Sequence, residues 1–254
     1  METYSGFAGV YDEFMDDVPY ERWAHQCSDI LKAHGITDGI VCDLGCGTGT
    51  LTEMLAREGY DMIGIDNSEE MLGEALDKKY DSGLDILYLC QDMREFELYG
   101  TCRAIISRCD CLNYILTYED LVRVFALVNN YLDPDGLFIF DINSEYKYRE
   151  ILGQRTFAEV REDAAFIWDN SYDPETGLNE YQVSFFTERA DGLYERSDEV
   201  HVQRAWKTDE IMRAAEEAGL VYESLKDCDT DGEPDEETER YLAVFREHGK
   251  TDER

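Results

Sequence analysis

The chain has 254 residues and sets 58 Asp and Glu against 23 Lys and Arg, a formal charge of −35 at pH 7. That surplus argues against nucleic acid or an anionic membrane as a surface-bound partner, because both are gripped through Lys and Arg meeting phosphate. It does not imply disorder: 43% of the residues are hydrophobic and 12% aromatic, enough for one large α/β domain with an insertion or for two small domains.

No apolar run approaches the roughly 18 residues of a spanning helix, and the start Met1-Glu2-Thr3 lacks the basic residues of a secretory signal. A soluble, cytoplasmic protein is expected. The eight cysteines (Cys27, Cys42, Cys46, Cys90, Cys102, Cys109, Cys111, Cys228) contain no C-x-x-C pair and several lie in apolar runs. Reduced core thiols are expected in place of a zinc site or a disulfide framework, and no metal.

Residues 1–35 carry aromatics at wide spacing (Tyr4, Phe7, Tyr11, Phe14, Tyr20, Trp23), then a helical pattern through Trp23, Cys27, Ile30 and Leu31 to Gly35. This predicts a helical N-terminal arm or lid. From Ile40, short apolar runs ending in Gly or Asp alternate with amphipathic stretches. Strands are predicted at 40–44, 62–66, 86–90, 104–107 and 137–141, with helices at 50–59, 68–80 and 118–132. Ser68 before Glu69 and Glu70 is a helix N-cap with acids in the first turn, and Asp133-Pro134-Asp135-Gly136 is a turn. Alternating βα units of this length imply a parallel sheet covered on both faces.

Residues 156–206 break that rhythm. Segments 157–161, 165–172, 179–187 and 194–206 alternate polar with apolar or aromatic residues between turn signals, which predicts an antiparallel sheet. A helix at 208–219 and strands at 221–225 and 241–245 return the chain to the main sheet. The expected division is an arm (1–35), a main domain (36–150 and 207–248) and an inserted sheet (151–206), packed closely because no Gly/Ser or Pro linker intervenes. Residues 227–240, with eight acids, read as a solvated loop.

The most informative segment is Val41-Cys42-Asp43-Leu44-Gly45-Cys46-Gly47-Thr48-Gly49. A strand that ends in alternating glycines and feeds a helix lets backbone N–H groups approach a ligand closely. A P-loop would need Gly-Lys-Ser/Thr, but Gly49 precedes Thr50 and Leu51. The dinucleotide fingerprint would need a third Gly where Thr50 stands. Asp66 ends the next predicted strand, 21 residues after Gly45, where a carboxylate can accept from both hydroxyls of a ribose. Asp92 ends the third strand, placed to accept from an exocyclic amine while Met93 packs on a purine. A nucleoside ligand is implied.

With these residues the chain resembles the class I S-adenosylmethionine-dependent methyltransferases. The likeness rests on Asp43-Leu44-Gly45-Cys46-Gly47-Thr48-Gly49, Gly64-Ile65-Asp66-Asn67-Ser68, Gln91-Asp92-Met93 and Leu132-Asp133-Pro134-Asp135-Gly136-Leu137, in order over about residues 35–145. The resemblance implies a Rossmann-like, mostly parallel seven-stranded sheet with helices on both faces and the last strand antiparallel. It implies S-adenosylmethionine as cofactor and S-adenosylhomocysteine as product. Gly45, Gly47 and Gly49 would lie against the methionyl part, Asp43 near its amino group, Asp66 on the ribose and Asp92 near the adenine amine. Tyr4, Tyr11, Cys46, Asn67, Met71, Met93 and Cys109 complete the candidate cofactor set. Tyr4 and Tyr11 resemble the aromatic lid of a bacterial subgroup that includes relatives of sugar N-methyltransferases.

Methyl transfer from a sulfonium needs chiefly near-attack positioning and exclusion of water, with a base only where the acceptor must lose a proton. Candidate acceptor contacts are Asn113 and Tyr114 after the fourth strand, Asn143, His201 and Arg204. His201, Tyr11 and Tyr114 are the candidate catalytic groups. Glu199 and His201 share one side of a strand, and Arg204 falls on the other with Val200, Val202 and Trp206. Cys109-Asp110-Cys111-Leu112-Asn113-Tyr114 departs from the Asn/Asp-Pro-Pro-Tyr/Phe signature of amino-methylating enzymes, which disfavours nucleobase or glutamine-amide acceptors. The expected function is methyl transfer to a nitrogen or oxygen of a small molecule, by a monomer or homodimer that binds no DNA and no membrane. The overall charge favours neutral or cationic acceptors. The alternatives are a tRNA or RNA-base methyltransferase, which lacks a visible basic stripe, a non-catalytic module that holds the nucleoside, and a nicotinamide-dependent oxidoreductase.

Overall fold

The structure, a computed structural model, describes residues 11, 12 and 14–250; Tyr4 and Phe7 of the expected lid lie outside the described residues. Along the chain come α1 (Tyr20–Ala33), β1 (Ile40–Leu44), α2 (Thr50–Arg57), β2 (Asp61–Asp66), α3 (Glu69–Ser82) and β3 (Leu87–Cys90). They are followed by β4 (Cys102–Ser107), α4 (Tyr118–Tyr131) and β5 (Leu132–Asn143). Four further strands, β6 (Thr156–Val160), β7 (Ala164–Asp173), β8 (Leu178–Glu188) and β9 (Tyr194–Arg204), precede α5 (Thr208–Glu217), β10 (Leu220–Asp227) and β11 (Arg240–Glu247).

Seven strands make the main sheet in the order β10-β11-β5-β4-β1-β2-β3. Strand β1 pairs parallel with β2 and β4, and β4 with β5, whereas β11 runs antiparallel to both β5 and β10. The inner strands carry apolar side chains on both sides, as expected where helices cover both faces. Phe138 and Phe140 of β5 join Phe125 of α4 in one core cluster, while Ile139 between them joins Trp23, Leu31 and Leu55 in the other. Helix α1 packs on α2, and α4 on α5. The chain leaves β1 first towards β2 and β3, then returns for β4 and β5, so a crevice opens above the carboxyl ends of β1 and β4. Open α/β sheets bind ligands at that reversal point.

Several element ends depart from the periodicity. Strand β5 begins at Leu132 and runs through the predicted turn, with Asp135 at φ 58°. A π-helical turn, Lys147–Leu152, stands where no element is predicted. Ser68 caps α3 as expected, its hydroxyl accepting from the Met71 N–H at 3.2 Å.

The inserted strands form a separate antiparallel sheet in the order β6-β7-β8-β9. Glu199, His201 and Gln203 of β9 are buried while Val200 is 52% exposed. The polar set therefore faces inward. The reason is that this face of β9 closes over a cavity, which His201 and Gln203 line. Trp206 follows β9 and is buried, its indole N–H donating to the Ile115 carbonyl at 3.1 Å.

Candidate active site

A cavity of about 580 Å³ lies above the carboxyl ends of β1, β2 and β4, within the range of ligand sites. One wall is the loop from β1 to α2, and the opposite wall is the inserted sheet with Phe166, Trp168, Val183 and Phe185. Tyr11, Phe14, Met15 and Val18 contribute from the segment before α1.

The three glycines of the loop serve three purposes. A Cβ on Gly45 would stand 2.6 Å from Cys111 Sγ, so its bareness lets the loop after β4 close against β1. Gly47 has φ +53°, and nothing lies within 4 Å of the place a Cβ would take, so its face opens on the cavity. Gly49 has φ +75°, begins α2, and gives room to the Tyr88 ring behind the loop. Gly49 lies off the cavity, which narrows the expectation of three glycines on one ligand to two.

Two carboxylates stand beside this loop. Asp43 is buried and accepts the Thr52 hydroxyl at 2.6 Å. Burial, opposed by the Thr52 hydroxyl and reinforced by Asp66, pushes its pKa up to about 7. Asp66 accepts the Gly47 N–H at 2.8 Å and the Ser68 N–H at 2.9 Å, leaving lone pairs for a ligand, and burial raises its pKa despite these bonds. Asp92 at the end of β3 also lines the cavity; the Arg94 guanidinium, at 2.9 Å, holds its carboxyl below the usual range. Cys46, Asn67, Met71 and Met93 complete this end.

The far end is built by the ends of β4, β5, β9 and β11. Tyr114 OH lies 2.7 Å from Tyr181 OH and 3.0 Å from His201 Nδ1, while His201 Nε2 lies 3.0 Å from Glu199. Glu199 and His201 are only 4% and 3% exposed. Below them Arg240 bridges Asp110 at 2.6 Å and Asp141 at 3.1 Å, and Arg108 meets Asp141 at 3.1 Å. Trp23 of α1 stacks with both guanidinium groups, at 5.1 and 5.2 Å. Gln203 donates to Asp110 at 2.7 Å. Burial works against the Asp110 carboxylate, yet Arg240, Lys147 and Gln203 hold its pKa low.

Of the remaining sequence candidates, Tyr11, Cys109, Asn143, Tyr114 and His201 line the cavity. Burial raises the Cys109 thiol to about 12, which makes it a neutral wall. Asn113 does not line it: fully buried, it donates to the Asn143 and Arg204 carbonyls and accepts the Asn143 N–H at 2.9 Å, clamping β5 to β9. Arg204 does not either; it pairs with Glu210 at 3.1 Å and lies 4.1 Å from the Trp206 ring centre. Tyr181, Lys147, Gln203, Arg108 and Arg240 also line the cavity, and no local sequence signal marks them.

A family model described as a methyltransferase domain matches residues 41–136. The methyltransferase YqeM of Bacillus subtilis (strain 168) is 36% identical over 238 residues, covering 93% of this chain and 94% of its own length. A crystal structure of an S-adenosylmethionine-dependent methyltransferase from Clostridium acetobutylicum ATCC 824 superposes with a TM-score of 0.87 at 32% identity, covering 97% of this chain and 99% of that one. The chain belongs to the S-adenosylmethionine-dependent methyltransferases. A more distant relative is the dTDP-3-amino-3,4,6-trideoxy-alpha-D-glucopyranose N,N-dimethyltransferase of Streptomyces venezuelae, 29% identical over 136 residues, 53% of this chain and 56% of its own. The methyltransferase fold thus matches the seven-stranded sheet, and the cofactor of the family fits the site: Gly47 is bare where a ligand must lie close, and Asp43 and Asp66 are carboxylates with no ion-pair partner among the described residues. No helix among the described residues is long and apolar enough to cross a membrane.

Proposed function

We propose that the enzyme methylates a nitrogen or oxygen of a small-molecule acceptor held between the β1 loop and the inserted sheet, residues 151–206. The observation that carries this reading is the hydrogen-bonded chain Glu199, His201, Tyr114 and Tyr181, of which the last three line the same cavity as the β1 loop. When bound, S-adenosylmethionine supplies an electrophilic methyl on a sulfonium. Asp43 would hold its amino group and Asp66 its ribose, with Asp92 towards the base and Tyr11 covering it. Water is kept from the opposite wall by Phe166, Trp168 and Phe185.

The acceptor must lose a proton during or after transfer. Glu199 accepts from His201 Nε2, and in the tautomer assigned by this network Nδ1 accepts from the Tyr114 hydroxyl. The proton then moves from acceptor to the Tyr114–Tyr181 pair and on to His201. The Streptomyces relative is by name an N,N-dimethyltransferase of an amino sugar, which supports a nitrogen acceptor.

The test is incubation with methyl-labelled S-adenosylmethionine and a metabolite extract, followed by mass analysis. Label in a low-molecular-weight product supports the reading. Label confined to RNA or protein, or tight cofactor binding with no labelled product from any fraction, overturns it.

A further inference from the structure

At the proposed acceptor end of the cavity one cation is met directly by no carboxylate, although the chain as a whole carries 58 acids and 23 bases. Lys147, on the π-helical turn after β5, lines the cavity, and its ammonium makes no hydrogen bond or ion pair among the described residues. Burial and the neighbouring Arg240 press its pKa down, and Asp110 and Glu239 oppose them only through space, without a direct ion pair. Arg108 and Arg240 line the same corner. Buried Arg108 Nη1 has no hydrogen-bond partner among the described residues, although polar groups in protein interiors are ordinarily satisfied.

The carboxylates within reach are already engaged. Asp141 meets both arginines and accepts the Asp110 N–H at 2.7 Å; Asp110 meets Arg240 and the Gln203 amide. Glu199 is held by His201, and Glu239 acts on Lys147 only through space. Both arginines are thus met directly by carboxylates, and Lys147 is the cation of this corner that none meets directly.

We propose that this corner is an anion subsite and that the acceptor is a small acid. Its carboxylate or phosphate meets Lys147, and its apolar body lies against Phe166, Trp168 and Phe185. This rests on the methyl-transfer reading above and adds the sign of the acceptor's charge. A lysine is a point charge with rotatable donors and takes either anion. The field of the acidic surface, which would favour neutral or cationic molecules, is screened within ~8 Å at physiological salt, so inside the cavity the local cations decide.

The test is calorimetry on the enzyme saturated with S-adenosylhomocysteine, using benzoate and phenyl phosphate against the neutral benzamide. At least one anion is expected to bind tenfold or more tightly than benzamide, and whichever binds better identifies the acid. Lys147→Gln is expected to abolish that preference while leaving S-adenosylhomocysteine affinity, and hence the fold, unchanged; Lys147→Arg is expected to keep it. Equal binding of all three probes, or an undiminished preference in Lys147→Gln, overturns the proposal. If S-adenosylhomocysteine itself does not bind, the cofactor reading fails separately, and the same titrations on the unliganded protein still decide the subsite.

Discussion

Asp43, proposed above to hold the cofactor's amino group, is buried at the expense of stability. Its pKa near 7 lies above the ordinary 3.8, so the folded chain binds this proton more tightly than the unfolded chain does. The contribution favours folding below about pH 4 and is lost as the pH rises to about 7, a difference of a few kcal/mol. Asp43→Asn is therefore expected to raise the melting temperature of the cofactor-free enzyme at pH 8. Calorimetry should show the opposite for binding: S-adenosylmethionine affinity rises with pH through about 7 in the natural protein and is weaker and flatter in Asp43→Asn. The glycines make a sharper contrast. Gly47→Ala puts a methyl into the cavity at a left-handed backbone position, at a strain of roughly 1–2 kcal/mol. Cofactor affinity should fall tenfold or more while the fold survives. Gly49→Ala drives its methyl into Tyr88, and should lower the melting temperature more than Gly47→Ala.

At the scale of elements, strand β9 carries the test of the proton path. Glu199→Gln removes the negative charge beside His201 while keeping an acceptor oxygen, and kcat is expected to fall by roughly 10² with cofactor affinity unchanged. An unaltered kcat would remove Glu199 from the mechanism. The same strand shows where sequence reasoning stops. Helix α4 is legible because its apolar positions recur at helical spacing, and the β1 loop because glycines and acids at strand ends are local signals. The facing of β9 is not, since alternation reveals two sides but not which one looks into the cavity. Tyr114 and His201 are 87 residues apart, and Lys147 sits on a turn with no periodicity of its own. Only the folded chain brings these groups together.

For the whole molecule the governing quantity is the net charge of −35. Self-repulsion of that size destabilises a compact state and is screened by salt. Raising sodium chloride from about 0.02 to 0.5 M should raise the melting temperature; a fall would mean that ion pairs, not repulsion, dominate the surface. The acidic segment after β10 is not wholly loose, because Arg22 and Gln26 of α1 both reach the Cys228 carbonyl and Asp231. Helix α1 is thereby tied at one end to that segment and, through Trp23, to the arginines below the cavity.

Two of the three tryptophans line the cavity, Trp23 beside two guanidinium groups and Trp168 on the wall of the inserted sheet, while Trp206 is sealed in the core. Trp168, against which the acceptor is proposed to lie, gives the enzyme an intrinsic optical gauge. Molecules entering the acceptor chamber replace solvent beside that indole, so its emission shifts to the blue as the chamber fills, and occupancy can be followed without a label or a turnover assay.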